Sequence, residues 1–250
     1  FSYIIHMKTA VLVSGMYREF DIAVKSWKFL NDLDCDVYFS TWKKSIQSSK
    51  VLDIHLEEDV TEDMILKHIP NAKIKIYDVN NFDFSGDVEY HNNKHLFLLK
   101  SSLSMIKESG VEYDMLIMTR PDNYSFYNYS SDYYSKFIRE DALFGLTPIY
   151  ITGKPSMEQY FLLDYFFMGH FKTLYNVIDN LPTDMIGNIH TEFAKSVMKL
   201  DYYVVQLPEF DLKLIRPNVR DLKTEDITNE TVQLKFMEWG QNKGFIRDDI

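Results

Sequence analysis

Asp114-Met-Leu-Ile-Met-Thr-Arg-Pro-Asp122 holds a short apolar run, residues 115–118, that gives way to two opposite charges. An apolar run bounded by turn residues is the pattern of a strand buried on both faces. Pro121 has no N–H to give to a ladder, so the strand stops there. Arg120 and Asp122 are thereby presented together at the strand's C-terminal end. In open α/β sheets ligands bind outside the carboxyl ends of the strands. A carboxylate can hold a divalent cation and a guanidinium an anionic oxygen, a pairing suited to diphosphate chemistry. The same residues would also serve as a surface ion pair closing a turn, and this stretch alone leaves both open.

Upstream, residues 9–13 read as another buried strand, followed by Ser14-Gly15-Met16-Tyr17-Arg18 and by Phe20, Val24, Trp27 and Leu30 at helical spacing. Residues 36–40 predict a second strand that ends in Thr41 and Trp42. Residues 43–60 are polar and mixed, and read as a variable connection. Thr61, Glu62 and Asp63 open a helix that Pro70 stops. Residues 73–79 give a third strand and 80–93 a polar loop. Residues 94–108 predict a helix through Leu96, Leu99, Leu103 and Ile106, with Gly110 as its stop. Strands alternating with helices predict a mostly parallel sheet covered on its faces.

Downstream the pattern changes. Residues 123–135 are dense in Tyr, Ser, Asn and Asp and read as a loop. Residues 142–146 and 160–168 read as strands, the second interrupted by Asp164. Residues 171–181 and 191–200 read as helices, 202–207 as a last strand, 212–216 as an edge segment and 231–239 as an amphipathic helix. The expectation is one mixed α/β domain. Its two halves are 1–122 and 123–250.

Composition sets limits on partners. With 46% hydrophobic residues the chain can bury a sizeable core, and 17 Tyr with 18 Phe exceed what a core alone needs. A net charge of −10 argues against binding nucleic acid by phosphate neutralisation. The single cysteine, Cys35, excludes an intramolecular disulfide and a Cys-rich metal site, and suits a reducing cytoplasm. No apolar run approaches the length of a transmembrane helix. Met7 reads as the natural start, with Phe1 to His6 an added remnant. The expected location is cytoplasmic.

Several residues are of types that carry chemistry. Gly15 permits close backbone approach, the helix start after it offers N–H groups to a phosphate, and Arg18 adds a charge. With a single glycine this turn is neither the dinucleotide fingerprint nor a P-loop. Trp42 at a strand end can stack on a nucleobase or cap the core. Lys100, beside Leu96, Leu99 and Leu103, reads by default as a snorkelling lysine. Asp164, amid apolar residues, needs partners or loses its charge; base, metal contact and sugar-hydroxyl acceptor are its functional readings. Glu192 begins a helix that Thr191 would cap, and the macrodipole favours it there. His190 is a possible metal ligand, though no paired histidine accompanies it, and no Gly-x-Ser-x-Gly elbow is present.

Taken together, these motifs resemble the nucleotide-sugar glycosyltransferases with a GT-A-like fold, a group that includes WavE-type lipopolysaccharide-synthesis proteins and related viral and bacterial enzymes. Four stretches carry the resemblance: Ala10 to Phe20, with its "SG-x-x-R-x-F" turn; Asp36-Val-Tyr-Phe-Ser-Thr-Trp42; Tyr113 to Asp122, as "YD-x-x-I-x-x-R-x-D"; and Asp164 to Gly169 followed by Glu192 and Leu214-Ile-Arg-Pro217. The resemblance implies a Rossmann-like, mostly parallel sheet with a mixed acceptor-side half. By it, the first half, 1–122, would be the nucleotide-sugar-binding half and the second, 123–250, the acceptor-binding half. It implies donor contacts from Ser14, Gly15, Arg18, Thr41, Trp42, Lys100, Arg120 and Asp122. Asp122 would be the carboxylate near Mn²⁺ or Mg²⁺ and the diphosphate. Arg120, however, stands where the commoner Asp-x-Asp motif has its first carboxylate, which suits gripping a diphosphate better than holding a metal. In an inverting reaction Asp164 and then Glu192 are the expected bases; in a retaining one the same carboxylates would only position donor and acceptor. The acceptor would be a carbohydrate or other hydroxyl, with nucleic acid only as a modified acceptor. A non-catalytic nucleotide- or glycan-binding module and a metal-dependent phosphohydrolase are the competing readings.

Overall fold

The apolar runs become central strands because a strand covered on both faces has no polar side to show. A computed structural model describes residues 7–49, 54–84, 92–125, 136, 138–145, 150–152, 159–161, 165–183, 189–206 and 212–214. In chain order, β1 (Lys8–Ser14) leads to two helical turns, α1 (Phe20–Ala23) and α2 (Phe29–Asp32), and then to β2 (Asp34–Trp42). β3 (Lys44–Ser49) and β4 (Ile54–Asp59) pair antiparallel ahead of α3 (Glu62–Leu66) and β5 (Lys73–Tyr77). The long helix α4 (Asn92–Glu108) precedes β6 (Met115–Thr119) and β7 (Asn123–Ser125). Then come β8 (Ala142–Gly145), β9 (Tyr150–Thr152), β10 (Gln159–Phe161) and β11 (Phe166–His170). Helices α5 (Phe171–Asp179) and α6 (Ile189–Lys199) and strands β12 (Tyr203–Gln206) and β13 (Leu212–Leu214) follow.

Seven strands form one sheet in the order β12-β8-β11-β6-β1-β2-β5. Parallel pairing joins β6 to β1, β1 to β2, β2 to β5 and β8 to β12, while β11 runs antiparallel to both β6 and β8. The chain is therefore α/β, with a mostly parallel central sheet flanked by helices, as the alternation predicts. The antiparallel strand falls in the second half, and the sheet continues unbroken from β6 into it.

Alternation divides the core into two layers. Val11, Val13, Phe39, Ile117 and Met168 meet Phe20, Trp27 and Ile65 on one face. Leu12, Tyr38, Leu116, Met118 and Phe167 meet α4, α5 and α6 on the other, through Leu99, Leu103, Leu174, Val177 and Phe193. Helix α4 is pinned to the sheet by Ser102, whose Oγ donates to the Val13 carbonyl (3.1 Å) and lies 2.6 Å from Ser40 Oγ. Gly110, at φ +65°, follows that helix as expected.

Four expectations need correction. The polar connection 43–60 is a hairpin, fixed at its base by Lys43 N–H donating to the Tyr77 carbonyl and Val60 N–H to that of Lys43, both at 2.7 Å. The helix after β1 is broken into short turns. Ser26 Oγ donates to the Ala23 carbonyl (2.6 Å), and Trp27 leaves helical geometry while its indole N–H bonds the Asn123 carbonyl (2.7 Å). The run 160–168 belongs to two strands: β10 pairs with β9 and β11 enters the central sheet. Helix α6 begins at Ile189, so Thr191 lies inside it and does not cap it. The predicted tail helix 231–239 and most of the loop 123–135 fall outside the described residues. No helix of the described residues is long and apolar enough to cross a membrane.

Candidate functional site at the C-terminal edge of the sheet

Parallel pairing brings the ends of β1, β2 and β6 to one edge, and antiparallel β11 starts there, with Phe166 opposite Thr119. The β1–β6 register, Val13 opposite Thr119, carries the Ser14-Gly15 turn to Pro121. Gly15 stands at φ +141°, and a Cβ there would sit 3.1 Å from Pro121 Cδ. Backbone conformation and close approach both call for glycine. The two stretches that stood out in the sequence are therefore packed against each other.

Charge gathers at this contact. Asp122 is only 1% exposed. Its Oδ1 accepts from Arg120 Nε (3.0 Å), and its Oδ2 accepts from Arg120 Nη2 (3.1 Å) and Arg18 Nη1 (2.9 Å). A carboxylate taken this far from water needs such charge-assisted partners to remain ionised. Arg18 has a left-handed backbone, φ +41°, which costs a non-glycine residue roughly 1–2 kcal/mol. Its N–H donates to the buried Ser45 Oγ of β3 (2.9 Å), so the hairpin helps hold that turn. On the other side, the Arg120 guanidinium lies over the Tyr165 ring, 5.2 Å from its centroid. The Tyr165 ring in turn meets His190 of α6 edge-on, at 5.5 Å and 82°. Asn123 ties the floor together: its Nδ2 donates to Thr119 Oγ1 (3.1 Å) and to the Tyr165 carbonyl. Its buried Oδ1 has no partner among the described residues.

Of the residues singled out in the sequence, Ser14, Gly15, Arg18, Arg120 and Asp122 converge here, Ser14 as a buried strand end. Thr41 is fully buried, and its Oγ1 has no partner among the described residues. Trp42 is 3% exposed and stacks on Phe97 (5.6 Å, 16°), with Tyr77, Phe82 and Phe84 around it. It is core, where burial and ring packing outweigh an exposed stacking platform. Lys100 donates to the main-chain carbonyl of Asp179 (2.7 Å), the last residue of α5. That is where a helix macrodipole favours a cation, and burial lowers the lysine's pKa against the opposing pull of Asp179. Lys100 thus clamps α5 to α4. Asp164 lies outside the described residues. Glu192 accepts from Lys195 Nζ (2.7 Å). At two residues beyond His190 it lies about 200° round the helix from the side chain that reaches Tyr165. The expected phosphate contact at a helix start also changes, because α1 has only four residues and carries Asp21 in its first turn.

Ser45, Asn123 and the shelf formed by Tyr165 were not legible as site residues. Asn123 and Tyr165 do adjoin residues that stood out, Asp122 and Asp164. Ser45 lies in a polar stretch with no pattern at all.

Asp122 is the residue expected near a divalent cation, and here each of its oxygens is taken by a guanidinium. At an effective dielectric of about 20, two unit charges ~4 Å apart repel by roughly 4 kcal/mol, so each arginine opposes a cation placed there. Among the described residues no group of three or more His, Cys, Asp or Glu is placed to hold a metal ion. Among the described residues, one carboxylate held by two guanidiniums does not by itself fit a resident Mn²⁺ or Mg²⁺; Asp164, a second candidate metal contact, lies outside them. Set against known proteins, the chain matches no family model, and no curated protein matches it.

Proposed function

We propose that this chain is a GT-A-like glycosyltransferase that takes a sugar from a nucleoside-diphosphate sugar and places it on a hydroxyl acceptor. One observation carries the reading: Arg18 and Arg120 converge on a buried carboxylate at the C-terminal edge of a mostly parallel sheet. Two guanidiniums side by side are suited to the oxygens of a diphosphate, which they bind as planar forks. Nucleoside diphosphate leaves the anomeric carbon with growing negative charge, and preorganised cations lower the barrier to its departure. Asp122 holds both guanidiniums in place before the donor arrives. The acceptor oxygen attacks the anomeric carbon, and in an inverting reaction a carboxylate takes its proton. Asp164 is the first candidate for that role by its place in the sequence. Glu192 is the second, and it would have to leave Lys195 to serve.

The test is a panel of nucleotide sugars, with and without Mn²⁺, scored by thermal shift and by nucleotide release. The transferase reading expects one donor to stabilise the protein and to release its nucleotide, with both responses weakened by Arg120→Lys. Stabilisation without release would mark a binding module, and the absence of any stabilising nucleotide would end the transferase reading.

A further inference from the structure

Tyr165 stands between the arginine grip and helix α6. Its ring lies against the Arg120 guanidinium, whose Cζ is 5.2 Å from the ring centroid, and it meets the His190 imidazole at 5.5 Å. The residue is fixed from two directions. Its carbonyl accepts from Asn123 Nδ2, and the next residue, Phe166, is paired with Thr119 in the β6–β11 ladder. Asn123 is 1% exposed and also bonds Thr119 Oγ1, so the shelf is tied to the strand that carries Arg120.

A guanidinium is planar, and its two kinds of contact constrain different motions. Nε–H and one of the two N–H groups of Nη2 bond Asp122, which sets the direction of the fork. The aromatic ring offers its π face to the cation at 5.2 Å, which restricts where the guanidinium sits. We infer that Tyr165 is a positioning residue for Arg120, holding the guanidinium where it engages the donor's diphosphate oxygens. The inference rests on the transferase reading and deepens it, because an arginine already ordered gives up little freedom on binding. Tyr165 acts through Arg120 and needs no contact with the donor.

The test has a readout that does not depend on ligand. In ¹H–¹⁵N spectra the Arg120 Nε–H signal, assigned by its loss in Arg120→Lys, is expected to be displaced by the ring current of Tyr165. Tyr165→Leu is expected to abolish that displacement and to broaden the signal, whereas Tyr165→Phe keeps both. Calorimetric titration with UDP, GDP, CDP and ADP supplies the second readout. Affinity for the nucleotide that binds is expected to fall about tenfold in Tyr165→Leu, which is about 1.4 kcal/mol, and to stay within about twofold in Tyr165→Phe. An unchanged Arg120 signal in Tyr165→Leu overturns the inference, as does an unchanged affinity once that signal has collapsed. Failure of the wild-type protein to bind any of the four nucleotides, with the signal still dependent on Tyr165, overturns the transferase reading and leaves the positioning of Arg120 supported. If Tyr165→Leu does not fold, Tyr165→Met, with a more adaptable side chain, replaces it.

Discussion

Gly15 and Pro121 follow different strands, β1 and β6, and meet at the centre of the candidate site, so a single methyl group tests how tightly that edge is built. At φ +141° an L-residue is strained, and its Cβ would lie 3.1 Å from Pro121 Cδ. Gly15→Ala is expected to lower stability by about 1–3 kcal/mol in urea unfolding. A change under a few tenths of that range would show that the turn relaxes freely. The individual members of this site were readable in the sequence: Pro121 as a strand end, Gly15 as a turn, Arg120 and Asp122 as a charged pair. Their partnership was not. Arg18 lies 104 residues from Asp122, and only the β1–β6 register brings the two together. Trp42 shows the opposite failure. An indole at a strand end reads the same whether it faces a ligand or, as here, Phe97.

At the scale of elements, α4 and α5 are joined by a cation seated on a helix C-terminus. Lys100→Met keeps the length of the side chain and removes the bond to the Asp179 carbonyl. Stability should fall by about 1 kcal/mol, the net worth of one such hydrogen bond. Nucleotide affinity should not change. A loss of affinity would return Lys100 to the donor site, where the family resemblance had put it. Elements with long apolar periodicity were legible: β1, β2, β6 and α4 all lie where the spacing predicts them. The β3–β4 hairpin was not, because its order comes from its ladder and from Lys43, Val60 and Tyr77 at its base, and Ile54 and Leu56 in β4 make too short an apolar alternation to mark it. β10 and β11 read as one strand because both are apolar, and composition does not reveal that they pair in different sheets.

Across the whole molecule, the two ends of the sheet are built from different chemistry. The C-terminal edge gathers Arg18, Arg120 and Asp122. At the N-terminal edge Lys8 pairs with Asp34 and Asp36, Tyr113 donates to Asp36 (2.7 Å), and Lys73 donates to Tyr38 (2.9 Å), whose hydroxyl lies 2.6 Å from that of Tyr113. Burial by itself would raise the pKa of Asp36, but hydrogen bonds from Tyr113 and Lys8, together with the charges of Lys8 and Lys73, outweigh it and hold the carboxyl below its usual value. A folded-state pKa lower than the unfolded one contributes stability above the unfolded value, near 4, that is lost as pH falls through the folded one. The stability gap between wild type and Asp36→Asn should therefore narrow between about pH 7 and about pH 3 in urea unfolding. A constant gap would remove Asp36 from the acid response. The parallel half of the sheet was legible as a whole because each strand there is separated from the next by helix or loop. Antiparallel β11 was not, since strand direction follows from connections that the apolar pattern does not encode. The functional account rests on the arginine edge, and calorimetry of nucleoside diphosphates on wild type and Arg120→Lys tests it most directly. Saturable binding to wild type is expected, weakening about tenfold in the lysine variant because an ammonium cannot reproduce the planar fork; no binding by wild type, or equal binding by both proteins, would overturn the transferase reading.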